Sequence, residues 1–148
     1  MHIEKATSAD IPALSELLSA LFSQEEEFTP NPEAQSKGLA QIINNPGVGA
    51  VLLARQGGQV AGMVNLLFTV STALGERVAL LEDMVVSSQE RGVGIGTQLL
   101  AEAISFARSQ GCRRITLLTD RTNEAAQRFY EKQGFVASSM IPMRLTLA

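Results

Sequence analysis

The sequence predicts a mixed α/β fold of six to seven strands and about four helices, and three observations predict it. Residues 48–86 hold three apolar, β-rich runs with no helix between them, the first two joined by Gln56-Gly57-Gly58. Two such runs around a glycine turn read as an antiparallel hairpin, with a third strand beside it. A glycine-rich turn then opens a long amphipathic segment that leads to another strand-like run. Finally, 148 residues with 45% hydrophobic and 18% charged side chains suit one soluble domain, residues 1–148, with its own core.

Taken in order, Ile3 to Ala6 is a short strand, and Thr7 with Asp10 offers capping oxygens for a helix through Ile11, Leu14, Leu17, Leu18 and Leu21. Glu25-Glu26-Glu27 and Pro30-Asn31-Pro32 mark a surface loop, because proline cannot continue a helix. A second helix runs from Glu33 to Asn44 with Leu39, Ile42 and Ile43 on one face, and Asn45-Pro46-Gly47 stops it. The strands Val48–Arg55 and Gln59–Val70 follow, then Arg77–Val86, so apolar that both faces should be covered. Glu82 and Asp83 interrupt that last run.

Leu99, Leu100, Ala103, Ile104 and Ala107 recur at helical spacing, with Gly111 as a stop. Arg114–Thr119 is a strand, Asn123–Gln133 a helix closed by Gly134, and Phe135–Leu147 one or two final strands. No repeat, low-complexity tract or linker interrupts this order.

Composition removes several functions. A net charge of -3 argues against binding nucleic acid by phosphate neutralisation. Cys112 and His2 are the only residues of their kinds, so no disulfide framework and no ordinary zinc site is expected. The first residues lack the apolar stretch of a signal peptide, and no later run reaches membrane-spanning length. A cytoplasmic protein that needs neither metal nor membrane is the expectation.

The chemistry concentrates in Arg91-Gly92-Val93-Gly94-Ile95-Gly96, between a buried strand and a long helix. Glycines let the backbone bend inward, so amides and the positive helix end can converge on a phosphate, and Arg91 adds a fixed charge. The plainer reading is a tight strand-to-helix turn. No Gly-Lys-Ser or Gly-Lys-Thr follows, which excludes a nucleoside triphosphatase loop. A dinucleotide fingerprint would use Gly92, Gly94 and an acid such as Asp120, but Thr97 stands at its third glycine. The loop also lies too late in the chain for a second mononucleotide half.

These residues resemble the GNAT acyltransferases, whose cofactor loop reads Arg or Gln, two residues, Gly, one residue, Gly or Ala. Arg91, Gly94 and Gly96 match it, and Asn123, Ala126, Phe129, Tyr130, Gly134 and Phe135 match the family's second motif. The likeness covers nearly the whole chain and is weakest between Phe22 and Val48. It implies a twisted, mostly antiparallel sheet with parallel strands where coenzyme A enters, and acetyl-CoA as donor. Homodimers are common in the family.

Residue by residue, the resemblance implies that amides of Arg91, Gly92, Val93, Gly94, Ile95, Gly96 and Thr97 hold the pyrophosphate. Met84, Val85 and Val86 would splay from the next strand and pair with the pantetheine arm, an amide near Val85 polarising the thioester carbonyl. Asn123 either contacts pantetheine, with Phe129, or simply caps its helix. Tyr130 would be the general acid that protonates the leaving thiolate, or else a core aromatic.

Glu82 is the expected base, preferred to Asp83, because a carboxylate in an apolar strand is costly unless used. The pair resembles the Leu-Glu-Asp strand of polyamine and related small-amine acetyltransferases. Strand alternation should send the two acids to opposite faces. Glu25-Glu26-Glu27 falls where the family builds its acceptor wall, and would draw a cationic amine.

A small cationic amine, a peptide N-terminus, a lysine, an amino sugar or an antibiotic all fit as acceptor. Cys112 lacks an activating neighbour in sequence, so the expected route is direct attack in a ternary complex. The alternative from another class is a coenzyme A-binding sensor without turnover.

Overall fold

A computed structural model describes residues 1–25, 27–90 and 94–148. The chain divides into two units, Met1–Leu117 and Leu118–Ala148.

The first unit carries the sheet. In chain order it holds β1 (His2–Lys5), α1 (Ile11–Phe22), α2 (Pro32–Ile43), β2 (Gly49–Gln56), β3 (Gln59–Ser71), β4 (Glu76–Val86), α3 (Ile95–Ser109) and β5 (Ile115–Leu117). The strands lie side by side in sequence order. β1 to β4 pair antiparallel, and β5 joins β4 parallel. Gly57 and Gly58 sit at φ of 58° and 82°, the two left-handed positions that a tight twist-matched hairpin turn requires.

Both faces of the sheet are covered, as the apolar runs required. Leu14, Leu17 and Leu18 of α1 and Leu39 of α2 pack on Val51, Leu53, Met63 and Val85. Leu14, Leu53 and Met63 are wholly buried, each stabilising the fold by about 1.5–3 kcal/mol through removal from water. α3 packs on β2, β3 and β4 with Leu99, Leu100, Ala103 and Ala107 buried.

The start of the chain is pinned by charge. Arg55 donates from Nε to Glu4 at 3.0 Å and from Nη2 to Asp10 at 2.9 Å. Asp10 Oδ2 accepts from the Thr7 amide at 2.9 Å, the expected capping contact. That amide, helped by Arg55, holds the Asp10 carboxyl below the usual carboxylate range.

The second unit is built on α4 (Glu124–Glu131). Gly134, at φ 102°, ends its helical segment, and the Phe135 amide donates back to the Tyr130 carbonyl at 3.2 Å. The expected final strands do not form: residues 135–148 make no ladder, and Val136, Met140, Ile141, Met143, Leu145 and Leu147 are exposed. Alternation is present from Ile141 to Leu147, but a strand exists only where a partner supplies its hydrogen bonds. The sheet therefore has five strands among the described residues, not six or seven. Among those residues no helix is long and apolar enough to cross a membrane.

Candidate active site

A β-bulge in β4 builds the site. Asn65 of β3 faces Asp83 and Leu66 faces Leu81, so Glu82 is one residue more than β3 can match. An extra residue bends its strand and breaks the alternation of faces. Glu82 and Asp83 consequently line the same cavity, which corrects the expectation that they point to opposite faces. Glu82 is exposed and Asp83 half-buried, so the expected cost of burying Glu82 does not arise.

Asn65 is only 2% exposed and locks Asp83 in place. Its Nδ2 donates to Asp83 Oδ2 at 2.8 Å, and its Oδ1 accepts from the Asp83 amide at 2.9 Å. Burial pushes the Asp83 carboxyl above its usual range; the Asn65 hydrogen bond opposes this, and the neighbouring Glu82 charge adds to it. The sequence did carry a signal for Asn65, an amide inside the apolar run Gly62-Met63-Val64-Asn65-Leu66-Leu67, which earned no functional reading.

The cavity measures about 260 Å³. Leu18 and Phe22 of α1, Phe28, Thr29 and Asn31 of the connecting loop, and Ala34, Gln35, Gly38, Leu39 and Ile42 of α2 wall it, while Asn65, Glu82 and Asp83 form its polar end. Phe22 and Phe28 stand together with ring centroids 5.6 Å apart. Glu25 and Glu27 are not among the lining residues, and Glu26 lies outside the described residues. Among the lining residues, the loop contributes aromatic surface.

Gln35 holds the cavity walls together. Its Nε2 donates to the Ser15 carbonyl at 3.0 Å and to Ser19 Oγ at 3.0 Å, tying α2 to α1. Its Oε1 accepts from the Asn31 amide at 2.7 Å, while Asn31 Oδ1 caps α2 by accepting from the Ala34 amide at 3.2 Å.

Beside the cavity, β5 accompanies β4 only from Ala79 to Leu81. The strand leaves this neighbour before Glu82. The Asp83 amide points to Asn65 and the Ser87 amide to the Ala61 carbonyl at 2.7 Å, both toward β3. By pleat alternation the Val85 amide shares that sense, and Met84 turns its backbone groups to the released side.

α3 begins at Gly94, whose φ of 82° is the left-handed region glycine favours. Among the described residues no side chain caps that end, and a Cβ at Gly94 would meet only open space. Ile95, Gly96 and Thr97 form the first turn, whose amides have no helical partners. This donor set fits a diphosphate. Arg91, Gly92 and Val93, expected to complete it, lie outside the described residues.

Within the second unit, Asn123 accepts from the Ala126 amide at 3.0 Å and so caps α4. Tyr130 is half-buried, with Phe129 at 5.2 Å and Phe135 at 5.6 Å in edge-on contacts. Cys112 shows no activation: burial pushes its thiol up, only partly offset by Arg77.

A sheet that opens along one strand beside a carboxylate-ended cavity suits the meeting of two ligands, one lying along the strand and one entering from the cavity. That is the layout of a group-transfer enzyme. The Acetyltransferase (GNAT) family model matches residues 11–135, and the chain belongs to that family.

An uncharacterized N-acetyltransferase of Bacillus subtilis (strain 168), YhfO, is 30% identical over 91% of this chain and 89% of its own length. The aminoalkylphosphonate N-acetyltransferase of Salmonella typhimurium (strain LT2) is 29% identical over 93% of this chain and 86% of its own. An integron cassette protein from the mobile metagenome of Cole Harbour Salt Marsh superposes with a TM-score of 0.85 at 23% identity. It covers 99% of this chain and 90% of its own, and shows the shared fold. The chain is thus an N-acetyltransferase acting on an amine, and its family draws the acetyl group from acetyl-CoA.

Proposed function

We propose that the chain acetylates a primary amine by direct attack on acetyl-CoA in a ternary complex. The observation that carries this reading is the bulge that brings Glu82 and Asp83 into one cavity beside the released part of β4. Acetyl-CoA, when bound, supplies an acetyl group already activated as a thioester. The amides of Ile95, Gly96 and Thr97 at the α3 N-terminus, with Arg91, Gly92, Val93 and Gly94, hold its pyrophosphate.

The backbone of Met84, Val85 and Val86 receives the pantetheine arm along the sheet edge. Within that stretch the oxyanion donor is the amide of Met84, since Val85 faces β3. Asn123 and Phe129 support the arm from the second motif. Glu82 takes the proton from the attacking ammonium and passes it to solvent, which its exposure permits. Asp83, fixed by Asn65, orients the ammonium by charge. The Tyr130 hydroxyl gives its proton to the leaving sulfur.

The acceptor is a small amine, the working form is a cytoplasmic homodimer, and catalysis needs no metal. Titration calorimetry with acetyl-CoA and with coenzyme A tests the donor site, and absence of heat with both refutes it. Thiol release from acetyl-CoA that depends on added amine separates an enzyme from a coenzyme A sensor. Light scattering of the purified chain tests the dimer.

A further inference from the structure

We infer that the acceptor is a monoamine with a compact apolar body, alkyl or aryl-alkyl, rather than a polyamine or an amine bearing phosphate or phosphonate. The inference rests on the reading of the cavity as the acceptor site and names the class of molecule that fills it.

Charge comes first. Glu82 and Asp83 are the ionisable groups on the cavity wall, both acids, and no Lys, Arg or His lines it among the described residues. One ammonium at that end is matched. A phosphonate or phosphate at the other end would face Leu18, Phe22, Phe28, Leu39 and Ile42 with no partner for its charge. The second ammonium of a polyamine would meet the same wall. Burying an uncompensated ion costs far more than the apolar contacts of its carbon chain return.

Hydrogen bonding points the same way. Gln35 spends its amide on Ser15, Ser19 and Asn31, and Asn31 spends its side-chain oxygen on Ala34. Both amide oxygens are thus engaged within the wall, and Thr29 is the one hydroxyl-bearing residue that lines it among the described residues, a sparse polar set for the several hydroxyls of a sugar body. Size adds a third constraint, since 260 Å³ lies below the roughly 300–1,000 Å³ of common ligand pockets. The aromatic pair Phe22–Phe28 supplies the flat apolar surface that a ring or short alkyl chain would cover.

The contrast with the Salmonella relative, named for aminoalkylphosphonates, makes the test sharp. Initial rates of thiol release would be compared for phenethylamine, n-hexylamine, 2-aminoethylphosphonate, glucosamine 6-phosphate and spermidine at fixed acetyl-CoA. The expected result is a kcat/KM for phenethylamine or hexylamine at least ~100-fold above the three charged-body amines. Phe28→Ala should raise KM for phenethylamine about tenfold and that for ethanolamine far less, and Phe28→Leu should restore most of the loss.

A charged-body amine turned over as well as or better than phenethylamine would overturn the inference and leave acetyl transfer intact. Equal KM changes for phenethylamine and ethanolamine in Phe28→Ala would also overturn it. No thiol release with any amine would overturn the proposed function itself.

Discussion

Replacing Asn65 by leucine tests the bulge directly, because Asn65 is the side chain that holds Asp83 where the strand register breaks. The volumes are similar, so the change removes polarity more than packing. Two hydrogen bonds disappear, one to the carboxylate at 2.8 Å and one from the Asp83 amide at 2.9 Å. A hydrogen bond to a charged group contributes about 1.5–3 kcal/mol, and an orphaned buried amide costs about 1–3 kcal/mol. Asp83 is half-buried and can draw in water, so the expected net loss is about 2–3 kcal/mol.

The loss should depend on pH with a definite sign. The Asp83 carboxyl already stands above its usual range in the folded protein, and Asn65 is the group that opposes that rise. Without it the folded carboxyl holds its proton more tightly still, so the folded state binds more protons than the unfolded one. Stability of Asn65→Leu relative to the parent should therefore fall as pH rises above the unfolded carboxylate value of about 4.

Urea unfolding at pH 4.5 and pH 8 measures both effects. A double variant, Asn65→Leu with Asp83→Leu, should recover at least ~1 kcal/mol, since removing both partners of a polar pair costs less than stranding one. A single-variant loss below about 1 kcal/mol, unchanged between the two pH values, would refute the account of Asp83.

Three further outcomes are expected. Glu82→Gln should move the rate profile toward higher pH, because the amine must then shed its proton unaided; an unmoved profile in steady-state assays means that water suffices. Tyr130→Phe should lower kcat about 100-fold with cofactor affinity nearly unchanged by calorimetry, and a normal rate removes its role as acid. Gly49→Ala should destabilise by about 3 kcal/mol in thermal unfolding, because a Cβ there runs into the Leu66 carbonyl across the β2–β3 ladder, and an unchanged melting point contradicts that close approach.

Sequence alone determined the family, because its motifs are written in short contiguous stretches. A glycine loop before a helix and an Asn-to-Phe-Tyr helix depend on local backbone geometry and little else. The same holds for the hairpin at Gly57-Gly58 and for the four helices, whose periodicity and stops lie within each segment. Asn123 left two local readings open, and the hydrogen bond from Ala126 shows that it caps its helix.

The cavity that Glu82 and Asp83 share was decided by tertiary structure. Glu82 and Asp83 share a cavity only because β4 carries one residue more than β3 can pair, and a single-residue shift reverses which face a side chain meets. Neither strand encodes that shift alone, since register is a property of two strands and of the core that both must fill. The apolar wall likewise joins α1, the Phe28 loop and α2 to Asn65, Glu82 and Asp83, which stand far along the chain on β3 and β4. The terminal alternation from Ile141 to Leu147 makes the converse point: a strand pattern becomes a strand only when another segment completes its hydrogen bonds.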